Sequence, residues 1–249
     1  MNTDRKIPWR RIAVEGVAII ASILLAFSID AWWGDRQQRE AEQVVLQALL
    51  DDLQVKQVLL ADMDRFSNAI FKSAETLLRM AAGTEQKPDE DTINRLIIDT
   101  SWVSSEALWD SAPLNLLVAG GSLSLVSNAR LVQELAALQV AIERARFHYR
   151  NDAAFHENVM TPFLIANANM AQLSTSMRHR PGQPEITATF PDLGFTTDFL
   201  ASELLSTVEF QNILVAKMER CTDILDVGHP GVDKHLVAVI RMLEDELDM

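Results

Sequence analysis

"EGVAIIASILLAFSIDAWW", residues 15–33, is nearly all hydrocarbon, yet it opens on Glu15, closes on Asp30 and ends in two tryptophans. From Ile12 to Ile29 the only charge is Glu15. Extended to Trp33, the run has the ~20 residues that a helix needs to cross ~30 Å of hydrocarbon. Trp9 lies 23 and 24 residues from Trp32 and Trp33. At ~1.5 Å rise per residue that is roughly 35 Å, the separation of two interfacial aromatic belts. A helix buried in a water-soluble core is seldom so continuous. A cleaved secretory signal has a shorter apolar core and then a small-residue exit site, whereas this core runs into Ile29-Asp30-Ala31-Trp32-Trp33 and on into a helical pattern. The expectation is an uncleaved transmembrane helix over residues 12–33, with Trp9, Arg10, Arg11, Trp32 and Trp33 as its interfacial anchors.

The charges orient it. Arg5, Lys6, Arg10 and Arg11 stand against Asp4 in the first eleven residues, while the whole chain carries 22 basic and 35 acidic side chains, a net charge of −13. By the positive-inside rule the tail 1–11 stays in the cytoplasm and residues 34–249 are exported. The expected location is a bacterial inner membrane, with a periplasmic C-terminal domain. The acidic excess and the lack of a basic stripe argue against nucleic acid as a partner. A single cysteine, Cys221, allows no intrachain disulfide and no thiolate cage, and reads as a buried thiol.

On a helical wheel Glu15, Ala18, Ser22, Ala26 and Asp30 share one side of the span with Ile29 and Trp33. Small residues spaced by four let a second helix approach closely, so this stripe is the candidate helix–helix interface with a second copy or another membrane subunit. The competing reading leaves Glu15 and Asp30 at headgroup level, with Glu15 paired to Arg11 one turn earlier.

Past the membrane, residues 35–82 contain no glycine or proline between Gly34 and Gly83. Leu46, Leu49, Leu53, Lys56, Leu60, Met63, Ser67, Ile70, Ala74, Leu77 and Ala81 follow alternating steps of three and four, which predicts a long helix. Leu50, Leu59, Phe66, Phe71 and Leu78 widen its stripe beyond a two-stranded seam, as bundle packing requires. Whether Gly34 separates this helix from the membrane span is open, because one glycine costs only ~1 kcal/mol. "GTEQKPDED" (83–91) is a loop, followed by a short helix around 92–99. Asn128 is a plausible cap for a second long helix to about Met160, with Pro162 near its end or at a kink. Prolines and glycines over 172–197 read as an irregular connection, with a short extended piece at "EITATF". Ser206-Thr-Val-Glu209 has the form of a capping box, Gly228-His-Pro-Gly231 reads as the end of that helix, and a last helix is expected from about Val232 to Leu247. The fold class is therefore all-α: a membrane helix continuing into a periplasmic antiparallel bundle of about four main helices.

The anchor "EGVAIIASILLAFSIDAWW", the patch "LLVAGGSLSLVSNARLVQELAAL" and the patch "LLSTVEFQNILVAKMERCTDIL" resemble a broad group of uncharacterised bacterial single-pass membrane proteins. These share an anchor closing on Asp or Asn and Trp, a glycine-containing turn into a helix, and a "Glu-Phe-x-Asn" helix start. The resemblance implies an architecture and carries over no catalytic residue. Where the group commonly has Gly-Asn, this chain has Gly121-Ser122.

Chemical motifs are scarce. "AGGSLSLV" lacks the lysine and preceding strand of a phosphate loop, and neither a Gly-x-Ser-x-Gly elbow nor His-Glu-x-x-His occurs. His148, Asp152 and His156, spaced by four on a predicted helix, are the weak metal candidates. With Arg146, Tyr149 and Arg150 beside them, the favoured reading is an ordinary mixed surface. His229 and His235 flank an expected loop and would join a site only if the fold brings them there, and Trp102 and Trp109 read as core or interface anchors. No cofactor is expected. The membrane stripe and the helical domain favour a non-enzymatic interaction, scaffold or accessory subunit, with the bilayer and other membrane proteins or itself as partners. The alternative is a periplasmic ligand-sensing bundle, which would need a separate membrane partner because eleven cytoplasmic residues hold no output domain.

Overall fold

A computed structural model describes residues 9–103, 109–119, 126–175 and 199–247, with side chains from residue 20 onward. The described residues are helical, with no strand among them, and the chain divides into two compact units, 1–48 and 49–249. Helix α1 (Trp9–Ala81) runs without a break through Gly34, where an added Cβ would meet nothing. The glycine's small propensity cost does not end a helix of this length.

In the first unit every residue from Ile20 to Ala41 is exposed. Among the described residues no helix is long and apolar enough to cross a membrane. The expected span begins at residues 12–19, whose side chains lie outside the described residues, as do those of Trp9, Arg10, Arg11, Glu15 and Ala18. At the other end of the expected span, Trp32 and Trp33 lie 6.3 Å apart, and Arg36 sits over the Trp32 ring while bonding Glu40 at 3.0 Å.

In the second unit the α1 pattern is realised, since Leu49, Leu53, Leu60, Ser67, Ile70, Ala74 and Leu77 are all buried. Lys56, the cation on that stripe, donates to the Asp110 carbonyl at 2.7 Å. Gly83 takes φ +71 and stops α1. Its N–H bonds the Met80 carbonyl and that of Thr84 bonds Arg79, the paired closure that a left-handed residue past a helix end permits. Helix α2 (Glu90–Thr100) is capped by Asp89, whose carboxylate accepts from the Thr92 N–H; that bond holds the carboxyl below its ordinary pKa. After α3 (Ala112–Ala119) comes α4 (Ala129–Phe155), capped as expected by Asn128, which accepts from the N–H groups of Arg130 and Leu131.

Three expectations are corrected beyond this point. The second long helix, expected to reach about Met160 with Pro162 near its end or at a kink, does not end there: it widens into a π-turn, His156–Met160, and continues as α5 (Thr161–Asn167). The helix α8 (Val208–Thr222) is capped by Thr207, not Ser206, so no capping box forms. The Gly228-His-Pro-Gly231 stretch is not a loop: a second π-turn, Asp223–Gly228, leads directly into α9 (His229–Leu247). One cause explains both π-turns. A proline inside an α-helix lacks its N–H and presses its ring on the carbonyl four residues back. In each case the residue before the proline instead bonds five back, Thr161 to His156 and His229 to Ile224. The wider turn admits Pro162 and Pro230 without ending the helix. The extended piece expected at 185–190 and the residues Gly120 and Gly121 lie outside the described residues.

The short helices α6 (Met170–Thr175) and α7 (Ala201–Leu204) pack on α2. Ile93 and Ile97 of α2 share a core with Leu77, Phe163, Leu173, Leu205 and Phe210, in which Phe163 and Phe210 stack at 5.7 Å. Helix α4 lies along α9 and the second π-turn, and Gly228 there faces the Ala145 backbone closely, 3.6 Å from where its Cβ would stand. Asn128 also donates to Glu246 at 2.8 Å. Asn128→Ala is expected to cost about 1–2 kcal/mol by loss of the cap, whereas Gly34→Ala should cost nothing and gain up to ~1 kcal/mol; guanidinium unfolding of the two variants checks both.

Candidate functional site

The face that α4 turns toward α8 and α9 carries Leu138, Ile142, Ala145, Tyr149, Asp152 and Phe155, all buried. Tyr149 and Asp152, one turn apart, are therefore polar groups set inside a core, and each needs a partner there.

Asp152 finds Lys217 of α8. The ammonium donates to both carboxylate oxygens, at 2.6 and 2.8 Å, and to the Trp102 carbonyl at 2.9 Å. All three of its protons are thus used. The two side chains are 0% and 3% exposed, so this is a fully desolvated pair. Its surroundings respond. Cys221, one turn along α8, is buried and its thiol is pushed up to about 12, mainly by desolvation. His156 is pushed below its ordinary pKa, first by burial and then by the Lys217 charge, and it bonds the Thr161 hydroxyl at 3.0 Å.

Tyr149 finds His229. The first residue of α9 is only 2% exposed, and it bonds on both ring nitrogens, Nδ1 to the Asp64 carboxylate on α1 and Nε2 to the Tyr149 hydroxyl. Trp109 closes the group, its ring 6.4 Å from both the Tyr149 and the His229 rings. The indole N–H lies near enough to the phenol oxygen to favour its ionised form, yet it makes no hydrogen bond of good geometry. Burial outweighs that influence and drives the phenol far above its ordinary pKa. His229 is held below its own, because desolvation exceeds the favourable charge and hydrogen bond of Asp64. Asp64 also lines a cleft of about 400 Å³ with Asn68, Phe71, Thr222, Leu225 and Asp226. One carboxylate thus touches solvent-accessible space and the buried histidine together.

The metal candidates part ways. Asp152 is committed to Lys217, His148 turns toward Asp223 at 3.8 Å, and His156 pairs with Thr161. Among the described residues no three His, Cys, Asp or Glu side chains converge as metal ligands. Tyr149 belongs to the core rather than to a mixed surface, and His235 bonds Glu134 at 2.6 Å, away from His229's partners. Cys221 and Trp109 are buried as expected.

Asp64, Lys217 and His229 were missed as a set. Lys217 carried a signal: it stands on the stripe Phe210, Ile213, Leu214, Cys221, Ile224 at helical spacing, and so does Asp152 between Tyr149 and Phe155. A charge on each of two apolar stripes is the mark of a buried pair. His229 carried none, because glycine and proline on either side gave it a loop's composition.

Compared with known proteins, the chain matches no family model, no curated relative and no solved structure. No site residue is inherited from a relative, and the site rests on its own geometry.

Removing one partner of a desolvated pair leaves a bare buried charge, worth about 3–5 kcal/mol. Asp152→Leu and Lys217→Met should each lose that much in chemical denaturation, and the double variant should recover most of it.

Proposed function

We propose that this chain is a non-enzymatic, single-pass membrane protein whose helical domain serves as an interaction or accessory subunit of an inner-membrane assembly. One observation carries the reading: over residues 20–33 the large apolar side chains, Ile23, Leu24, Leu25 and Phe27 among them, are 49–69% exposed. Water is a poor solvent for such a band. It adjoins the hydrophobic run 12–19 in sequence, and together they have the length and the tryptophan and arginine flanks of a bilayer span.

In this reading residues 1–11 stay in the cytoplasm, 12–33 cross the membrane, and 34–249 form a periplasmic bundle built on α1, α4, α8 and α9. The stripe Glu15, Ala18, Ser22, Ala26 and Asp30 is the face on which another membrane helix, from a partner or a second copy, packs. The resemblance to bacterial single-pass proteins agrees with it. A second reading, a ligand-sensing domain working through a membrane partner, is favoured by the cleft wall at Asp64, which communicates directly with His229. A small molecule that raises the melting temperature of the full-length protein would support it.

A reporter fused after Met249 should be active on the exported side, and the protein should resist alkaline carbonate extraction. Activity only in the cytoplasm, or release by carbonate, contradicts the anchor. With the anchor established, leucine at Ala18, Ser22 and Ala26 together should lower recovery of whatever co-purifies after gentle solubilisation, and unchanged recovery contradicts the stripe.

A further inference from the structure

His229 joins three helices at one ring, and the donors and acceptors around it can be counted. Neutral imidazole has one N–H and one lone pair. The Asp64 carboxylate only accepts, so the hydrogen sits on Nδ1, and Nε2 accepts from the Tyr149 hydroxyl. The Trp109 indole N–H lies beside the same phenol oxygen, with no acceptor in good geometry. Every hydrogen and lone pair between His229 and its two partners is matched while the imidazole is neutral. A proton added to Nε2 changes the count. Nε2–H, Tyr149 O–H and Trp109 N–H are then three donors facing one another around the single phenol oxygen, and the hydroxyl hydrogen loses its acceptor in a place closed to water.

We propose that His229 is a proton-operated latch: neutral, it ties α1, α4 and α9 together through Asp64 and Tyr149, and proton uptake on Nε2 releases Tyr149 and loosens the helical domain at the second π-turn. The position suits a latch. The ring stands directly after the π-turn, where the helix already departs from regular bonding, and the wall of the cleft at Asp64 and Asp226 lies alongside.

Among the described residues the charged and titratable surroundings of the ring are these. Asp64 faces the ring from α1 and Tyr149 from α4. On the π-turn, Asp223 faces His148 instead, and Asp226 lies on the cleft. Among the described residues of the segment before α3, Trp109 meets the ring and carries no charge, and the Asp110 carboxylate pairs with Arg146 instead. Asp64 is the charged side chain that acts on the ring, and its attraction for an imidazolium is smaller than the cost of desolvating one. The folded protein therefore binds this proton less readily than the unfolded chain. The latch's contribution to stability is complete above the ordinary histidine pKa, about 6.5, and is lost as pH falls through the lower folded value.

The test is a titration of the full-length protein in mild detergent, from pH 8 to pH 4, followed by histidine ring ¹³C resonances and by amide hydrogen exchange. The His229 resonance is identified by its loss in His229→Gln or, should that variant not fold, by elimination using His→Gln at the other histidines. His229 should titrate below an ordinary histidine, with the protection of the amides over residues 223–235, relative to their intrinsic exchange at each pH, falling at the same midpoint. Tyr149→Phe removes the hydroxyl that favours the neutral ring, so it should raise the midpoint by half a unit or more, whereas Asp64→Asn should lower it. An ordinary or elevated His229 midpoint, a midpoint unmoved by Tyr149→Phe, or exchange over 223–235 that ignores the titration would each overturn the proposal.

Discussion

A polar group placed inside a helical core must be answered by another helix, and α4 places two of them there, Tyr149 and Asp152, one turn apart. Much of the second unit's arrangement follows from that demand. Asp152 requires a cation, which brings Lys217 of α8 to it, and the third ammonium proton brings in the Trp102 carbonyl. Tyr149 requires an acceptor, which brings the start of α9, and His229 in turn engages Asp64 of α1. Apolar burial supplies the greater part of the driving force, but it is non-directional. The two polar groups decide which helices meet α4 and at what height.

The π-turns let those partners arrive. A helix that ended at Gly228 would leave the next residues on an irregular segment, and the His229 ring would have no fixed direction. The wide turn keeps the chain helical through Pro230, so the imidazole is set by the α9 backbone on one side and by two hydrogen bonds on the other. The same device carries the α4 chain past Pro162 into α5, placing Phe163 against Phe210. Both turns end two residues before a proline. The residue that usually stops helices here reshapes them.

This explains what could be read from the chain and what could not. The α1 stripe from Leu49 to Leu77 and the α4 stripe from Leu131 to Phe155 were legible, because their 3.6-residue period is a direct consequence of one buried face. The Asn128 cap and the Gly83 stop were legible for similar local reasons. The cap at Thr207 was displaced by one residue because Ser206 and Thr207 are both good caps, and the choice between them depends on how Phe210 enters the core. The π-turns were illegible because a lone proline signals a break unless tertiary contacts hold both halves in line. The Asp152–Lys217 pair was written on two stripes separately, yet only packing shows that the two stripes face each other. His148, Asp152 and His156 have metal spacing along one helix, but spacing on a helix says nothing about what the neighbouring helix has already claimed.

In this account α8 and α9 form one helical path, widened at Asp223–Gly228 and fastened by buried polar contacts. Hydrogen exchange at neutral pH over residues 213–240 of the intact protein tests that claim most directly. Protection that continues from α8 through 223–232 into α9, with the junction opening no more readily than the helices on either side, is the predicted result. Exchange over 226–232 at the rate of an unstructured loop, with protection resuming only near Val232, would contradict it.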